Sequence, residues 1–142
     1  IYKDTLIHIP NTAAELTYTI PLSALQKEMV LQLRNIQFDH NSSVLTPSSY
    51  AELDKLVKLM QDNPSMQIEL SAHTDDVGSE QYNMRLSQQR GESVRKYLIR
   101  KGVDAKRIIA KGYGKNKPLV PNDSDENRAI NRRVEFTINE IE

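Results

Sequence analysis

The chain has 142 residues, 38% of them hydrophobic, with 19 Lys and Arg against 19 Asp and Glu. That length supports one domain with a real core and hardly two, and a formal net charge of zero argues against a general nucleic-acid or anionic-membrane surface, leaving recognition to local patches. No cysteine is present, so disulfides, Cys-based zinc sites and a thiol nucleophile are excluded, and no apolar run approaches the roughly 20 residues that span a bilayer.

The chain opens on Ile1 without a signal-like segment, so it reads as a portion of something longer, with any anchor outside it. Asp4 to Pro10 and Leu16 to Ile20 are short β-like runs separated by Asn11-Thr12-Ala13-Ala14. A stronger strand is expected over Met29 to Phe38, with Leu31, Leu33 and either Ile36 or Phe38 turned to the core and a bulge able to reset the register. Asp39 to Ser43 is a loop. Thr46-Pro47 offers an N-cap followed by the residue best tolerated at the first helical position, and a helix to Asp62 follows, with Tyr50, Leu53, Leu56, Val57 and Met60 inward. Asn63-Pro64 stops it. Met66 to His73 alternates apolar and polar residues, the period of a strand with one buried face. Asp75 to Ser79 has turn composition, and Ser79 fits the N-cap of a helix from Glu80 to Lys101 that Gly102 ends. Tyr82, Leu86, Val94, Tyr97 and Leu98 make its buried stripe. Arg107 to Lys111 is the next strand, leading into Gly112-Tyr113-Gly114. Lys115 to Asn127 is a long surface loop with two prolines, Asp125 to Asn131 a short helical turn, and Val134, Phe136 and Ile138 alternate along a last strand.

Chemistry concentrates between His73 and Leu98. Arg90 interrupts the buried stripe, four residues after Leu86 and four before Val94, with Asn83 and Ser87 along the same side. An unpaired guanidinium on an apolar face is costly, so Arg90 is expected to meet a carboxylate, from this chain or from a ligand. Asp75, just ahead of the same helix, is the nearest candidate in sequence. Opposite charges at a strand-to-helix turn look like a grip for a small molecule; the alternative is an internal Asp75 to Arg90 salt bridge that closes the turn.

Several motifs in order resemble a known family: Phe38-Asp39; His73-Thr74-Asp75; Asn83-x-x-Leu86-Ser87-x-x-Arg90 followed by Val94 and Leu98; Gly112-Tyr113-Gly114; and Arg128-Ala129-x-Asn131-Arg132-Arg133-Val134-Glu135. They resemble the OmpA C-terminal-like domain, the peptidoglycan-binding module shared with peptidoglycan-associated lipoproteins and the flagellar stator protein MotB, over about Asn35 to Ile138. Two positions depart: Ala72 stands where the family usually has Gly, and Gly91 where it usually has Ala. The resemblance implies an α+β fold, a two-layer α/β sandwich with a mixed sheet of about four strands and two main helices on one face, in βαβαββ order. Residues 1–34 are expected to be an N-terminal extension or linker from an upstream region, and 35–142 the OmpA-like domain. Function is implied to be non-catalytic binding of peptidoglycan through the diaminopimelate residue of the stem peptide, anchoring an outer-membrane protein or complex in the periplasm. Asp75 would hold the ligand ammonium and Arg90 a carboxylate, with Asn41, Thr74, Asn83 and Arg132 supplying hydrogen bonds. No cofactor, metal, nucleic acid or direct membrane insertion is expected, and partner complexes would be met through regions outside this chain.

Other readings carry less. His73 with Asp75 and Asp76 hints at a metal, but strand residues alternate faces and no other His is near in sequence, so a hydrogen-bonded structural His is the better account. Adjacent Asp75 and Asp76 usually point apart, and no nucleophile accompanies them, which weighs against the alternative of a metal-dependent peptidoglycan hydrolase or amidase. A third reading is a protein-interaction domain whose charged site is structural. Gly112-x-Gly114 reads as a turn needing positive φ, and Lys111, Lys115, Lys117, Arg128 and Arg133 as solvated charge around the long loop, with Arg132 assigned to the ligand. Tyr82 and Tyr97 are read as core.

Overall fold

A computed structural model describes residues 6–10, 15–19, 25–34, 36–39 and 41–142. Strands β1 (Leu6–Pro10), β2 (Glu15–Thr19), β3 (Val30–Leu33), β4 (Gln67–His73), β5 (Ile108–Gly114) and β6 (Arg133–Glu140) form one sheet in the order β2-β1-β3-β6-β4-β5. β4 and β5 run parallel, and β6 lies antiparallel between β3 and β4. Helices α1 (Tyr50–Asp62) and α2 (Glu80–Arg100) are the crossovers, and α3 (Asp125–Asn131) precedes β6. The four strands β3, β4, β5 and β6 with two main helices are the expected α+β sandwich, and β1 and β2 extend it at one edge. The Asp4 to Pro10 and Leu16 to Ile20 runs appear as β1 and β2 where described; the ends of both runs, Asn11-Thr12-Ala13-Ala14, Asn35 and His40 lie outside the described residues.

The core follows from period-2 alternation meeting helical stripes. Ile68, Leu70 and Ala72 of β4 sit opposite Ile138, Phe136 and Val134 of β6, and Leu31 and Leu33 of β3 complete the inner face. Leu53, Leu56, Val57 and Met60 of α1 and Val94, Tyr97 and Leu98 of α2 cover it. Leu59 joins this core, which the expected stripe omitted. Tyr50 does not: 39% exposed, it stacks on Tyr97 with ring centroids 5.1 Å apart.

Local signals set the boundaries that frame the site. Ser79 caps α2 by accepting from the Tyr82 N–H, and Gly102, at φ +106°, ends it. The strand expected over Met29 to Phe38 stops at Leu33, and Phe38 forms only an isolated bridge with Leu45. Thr46 does not cap α1 with its side chain; a 3₁₀ turn over Pro47–Ser49 comes first, and Ser49 Oγ accepts instead from the Gln37 N–H at 2.8 Å. β5 begins later than expected, after a 3₁₀ turn at Ala105–Arg107, and runs through both glycines. Gly112 is therefore no turn residue. It is where α2 lies closest, since a Cβ there would fall 2.3 Å from the Gln88 backbone nitrogen. Only Gly114, at φ +57°, needs the left-handed conformation.

β5 is an edge strand, and side chains of α2 occupy its free hydrogen-bonding groups. Gln88 Nε2 donates to the Ala110 carbonyl at 3.0 Å and its Oε1 accepts from the Gly112 N–H at 2.8 Å. Ser87 Oγ accepts from the Gly114 N–H, and Arg95 Nε donates to the Ile108 carbonyl. An edge so covered cannot template another strand.

Candidate functional site

At the ends of β4 and β6 that face the start of α2, a cavity of about 970 Å³ opens between the 36–46 segment, the 74–79 turn and α3. All six residues expected at the site, Asn41, Thr74, Asp75, Asn83, Arg90 and Arg132, line it. Phe38, Val77, Tyr82 and Leu86 supply apolar wall, none of them assigned to the cavity from sequence. Tyr82 is half-buried rather than core, the price of a stripe whose first turn overhangs the cavity. Val77, Tyr82 and Leu86 carried a signal, being apolar residues on or just after the turn that holds Asp75, whereas nothing local to Phe38 ties it to that turn.

Asp75 and Arg90 do not form the salt bridge considered as the alternative. Asp75 Oδ2 receives Arg132 Nη1 at 2.6 Å, and its Oδ1 accepts from the Val77 N–H at 3.0 Å, an Asx turn that locks the carboxylate to its own backbone. Arg90 Nε donates to the Ser42 carbonyl at 2.9 Å, its Nη2 to the Asp39 carbonyl at 3.3 Å, and its guanidinium lies 4.9 Å from the Phe38 ring centroid. Within the chain, loop carbonyls stand where a carboxylate partner was one of the two expectations, and they satisfy donors without neutralising charge. Burial lowers the Arg90 pKa, with Arg132 acting in the same direction, while Tyr82 and Asp75 favour the charged form. Arginine stays protonated regardless. The cavity therefore holds a cation whose charge is uncompensated at contact distance.

The polar residues around this pair shape the walls. Asn83 is buried and its Nδ2 donates to the Val77 carbonyl at 3.0 Å, tying the turn to α2. Thr74 Oγ1 donates to the Asp75 carbonyl at 2.9 Å. Asn41 takes φ +57°, a conformation Asn tolerates better than most residues. Ser93 Oγ donates to the Ser43 carbonyl at 2.5 Å, holding the loop that carries Asn41 against α2. Asp76 does not point away from α3: it meets Arg128 Nε at 3.5 Å, so the two adjacent carboxylates face two arginines one helical turn apart. Arg128 also bonds Asp125 at 3.0 Å.

Behind the site, the outer face of the sheet is buried at one end. His73, expected to be hydrogen-bonded, makes no well-formed hydrogen bond at either ring nitrogen; it stacks on Tyr113 at 5.3 Å, and Nε2 faces Glu135 Oε1 in a long polar contact of 3.5 Å. Arg133 is not solvated surface charge: buried, it donates to Glu135 Oε2 at 2.8 Å and to the Asn131 and Lys117 carbonyls. Asn131 completes the anchorage of the long loop, accepting from the Leu119 and Val120 N–H groups and donating to the Val120 carbonyl. Burial lowers the His73 pKa below 6.5. For Glu135 burial acts upward, but His73 and the Arg133 charge outweigh it and hold the carboxyl below 4.5. Among the described residues no cluster of three or more His, Cys, Asp or Glu could hold a metal ion, and no helix is long and apolar enough to cross a membrane.

Residues 37–132 match the pattern that defines the OmpA family. The chain is 36% identical over 136 residues to outer membrane porin F of Pseudomonas aeruginosa, covering 95% of this chain and 39% of that protein. It is 35% identical over 104 residues to the peptidoglycan-binding protein ArfA of Mycobacterium bovis, covering 73% of this chain and 32% of that one. The chain thus spans well under half the length of these relatives. Among solved structures, the peptidoglycan-associated lipoprotein from Burkholderia pseudomallei superimposes with a TM-score of 0.68 at 29% identity, over 72% of this chain and 87% of that one.

Proposed function

Because the chain belongs to the OmpA family, we propose that it is a non-catalytic module that binds peptidoglycan and anchors an outer-membrane protein or complex to the cell wall. This reading puts it in the periplasm, with the anchored partner met through other parts of the parent protein. The ligand we assign is the diaminopimelate side of the stem peptide. One observation supports the assignment: a turn-locked carboxylate, Asp75, and a guanidinium whose hydrogen bonds among the described residues go to carbonyls, Arg90, line the same cavity. A zwitterionic amino-acid centre presents an ammonium and a carboxylate together, and charge-assisted hydrogen bonds to both are the strong kind. Asn41, Thr74, Asn83 and Arg132 border the ligand in this reading. Each such bond contributes roughly 1.5–3 kcal/mol before desolvation and ordering, so affinity for one stem peptide is modest and retention on the wall comes from many copies on many sites.

The test is retention on isolated sacculi by Asp75→Ala and Arg90→Ala proteins, read alongside thermal unfolding. Both variants are expected to lose about tenfold or more in retention, since a ligand charge that finds no partner forfeits its desolvation cost. Asp75→Ala is expected to cost the fold less than about 1 kcal/mol, because its Arg132 partner is half exposed. Arg90→Ala removes two bonds to the 39–42 loop and is expected to cost about 1–3 kcal/mol while leaving a folded domain. Near-normal retention by a folded Arg90→Ala protein would sink the assignment. Chelator-sensitive release of soluble muropeptides would instead favour the hydrolase alternative.

A further inference from the structure

Resting on the diaminopimelate reading above, we propose that Arg132 is a specificity-determining residue: it acts as an internal cation on Asp75 that a ligand must exchange, so the site accepts an ammonium that brings its own carboxylate and rejects one that does not.

The inference rests on how differently the three site charges are held. Asp75 is fixed, with one oxygen on its own Val77 N–H and a side chain only 13% exposed. Arg90 is fixed, with two carbonyls and an aromatic ring around its guanidinium. Arg132 is the movable one. Its side chain is 48% exposed, and its one hydrogen-bonded partner within the described residues is Asp75. Its backbone cannot follow, because Arg132 N donates to the Arg128 carbonyl and the next residue, Arg133, is pinned to Glu135, Asn131 and Lys117. Arg128, one turn earlier, stays on Asp76, so α3 remains docked while Arg132 alone swings.

Charge matching then decides which ligands enter. An ammonium approaching Asp75 must take the carboxylate from Arg132. If the ligand end is a bare amine, as in a lysine-type stem peptide, a guanidinium is left beside the ligand cation and near Arg90 with no anion between them. If the amine sits on an α-amino acid centre, the accompanying carboxylate brings a second anion into the cavity, so the arginine displaced from Asp75 has an anion to turn to and the net charge of the site does not rise. Amidation of that carboxylate restores the mismatch. Exposed ion pairs exchange partners cheaply, so the discrimination comes from the unmatched cation rather than from breaking the bridge.

The experiment is calorimetric titration of the domain and its Arg132→Gln and Arg132→Lys variants with three otherwise identical stem peptides: diaminopimelate, its side-chain amide, and lysine. The wild type is expected to prefer diaminopimelate by about tenfold or more over the other two, the scale of one unmatched charge. In Arg132→Gln that preference collapses to within roughly threefold, and the lysine peptide binds more tightly than to the wild type, because Asp75 is no longer neutralised. Arg132→Lys, which keeps a movable cation, retains most of the preference. Equal weakening of all three peptides by Arg132→Gln would make Arg132 an ordinary ligand contact and overturn the exchange, while an unchanged preference would remove it from specificity altogether. A wild type that binds none of the peptides overturns the assigned ligand and the exchange with it, an outcome separate from either failure confined to the variants.

Discussion

Single residues in this fold are decided by what lies a few ångströms away, and Gly112 is the sharpest case. A Cβ there would fall 2.3 Å from the Gln88 nitrogen and 2.5 Å from Ser87 Oγ, atoms of the helix that delivers Arg90 to the cavity. Gly112→Ala must push α2 off the sheet, and a loss of about 1–3 kcal/mol or more is expected in the denaturant midpoint, with weaker sacculus retention. Gly91 shows the opposite. A Cβ there would meet Ala110 and Ala72 at ordinary contact distances of 3.6 and 3.9 Å. Gly91 therefore faces Ala110 and Ala72 across the contact of α2 with the sheet, and Gly91→Ala is accommodated there. His73 and Glu135 give the molecule its pH dependence. Both pKa values are lowered in the folded state, His73 from 6.5 and Glu135 from 4.5, so the unfolded chain binds more protons as pH falls. The stability these two groups contribute is present above pH 6.5, declines as His73 is forced to charge and declines again below pH 4.5. Thermal unfolding across pH 3 to 8 is expected to show both descents, and His73→Gln to remove the upper one.

At the scale of elements, α2 does three things at once: it buries a stripe, carries the site's cation and closes the β5 edge. The last depends most on Gln88, whose amide pairs one carbonyl and one N–H of β5. Gln88→Ala is expected to cost about 1 kcal/mol, as two modest bonds pass to water, and to raise concentration-dependent association, because the freed edge groups can pair with another strand. Light scattering across a dilution series checks this; a strictly monomeric variant at high concentration would show that bulk around the edge, not its hydrogen bonding, is what protects it. Arg107 plays a similar part at the other end of the sheet, donating to the Met60, Asn63 and Met66 carbonyls where α1 stops. It ties the last turn of α1 to the turn that leads into β4.

For the whole molecule, the boundary expected between residues 34 and 35 can be tested directly. β3 lies upstream of it, yet Val30 to Leu33 pair with β6, and Leu31 and Leu33 are buried against the core. A chain cut to residues 35–142 is expected to lose several kcal/mol, from about 1.5–3 kcal/mol for each buried leucine, whereas a chain starting near Leu25 keeps a cooperative melt. Equal melting temperatures for the two would put the boundary back at 34. The sequence by itself determined the order of helices and strands, the caps at Ser79 and Gly102 and the grouping of Asp75, Asn83 and Arg90 about one turn, because periodicity, capping and charge beside a turn are properties of neighbours along the chain, whereas Asn41, Thr74 and Arg132 entered only through the resemblance to the family's motifs. Only the tertiary structure decided how those residues pair. Asp75 takes a guanidinium 57 positions away, and Arg90 takes carbonyls 48 and 51 positions away, so no local pattern could rank them above a helix-turn salt bridge. The burial of Arg133, His73 and Glu135 was equally hidden, since an alternating strand shows which residues face outward but not that a loop 16 residues distant folds back over them. Ion pairing and desolvation depend on distances in space, and those are set only when the sheet and helices have closed around the cavity.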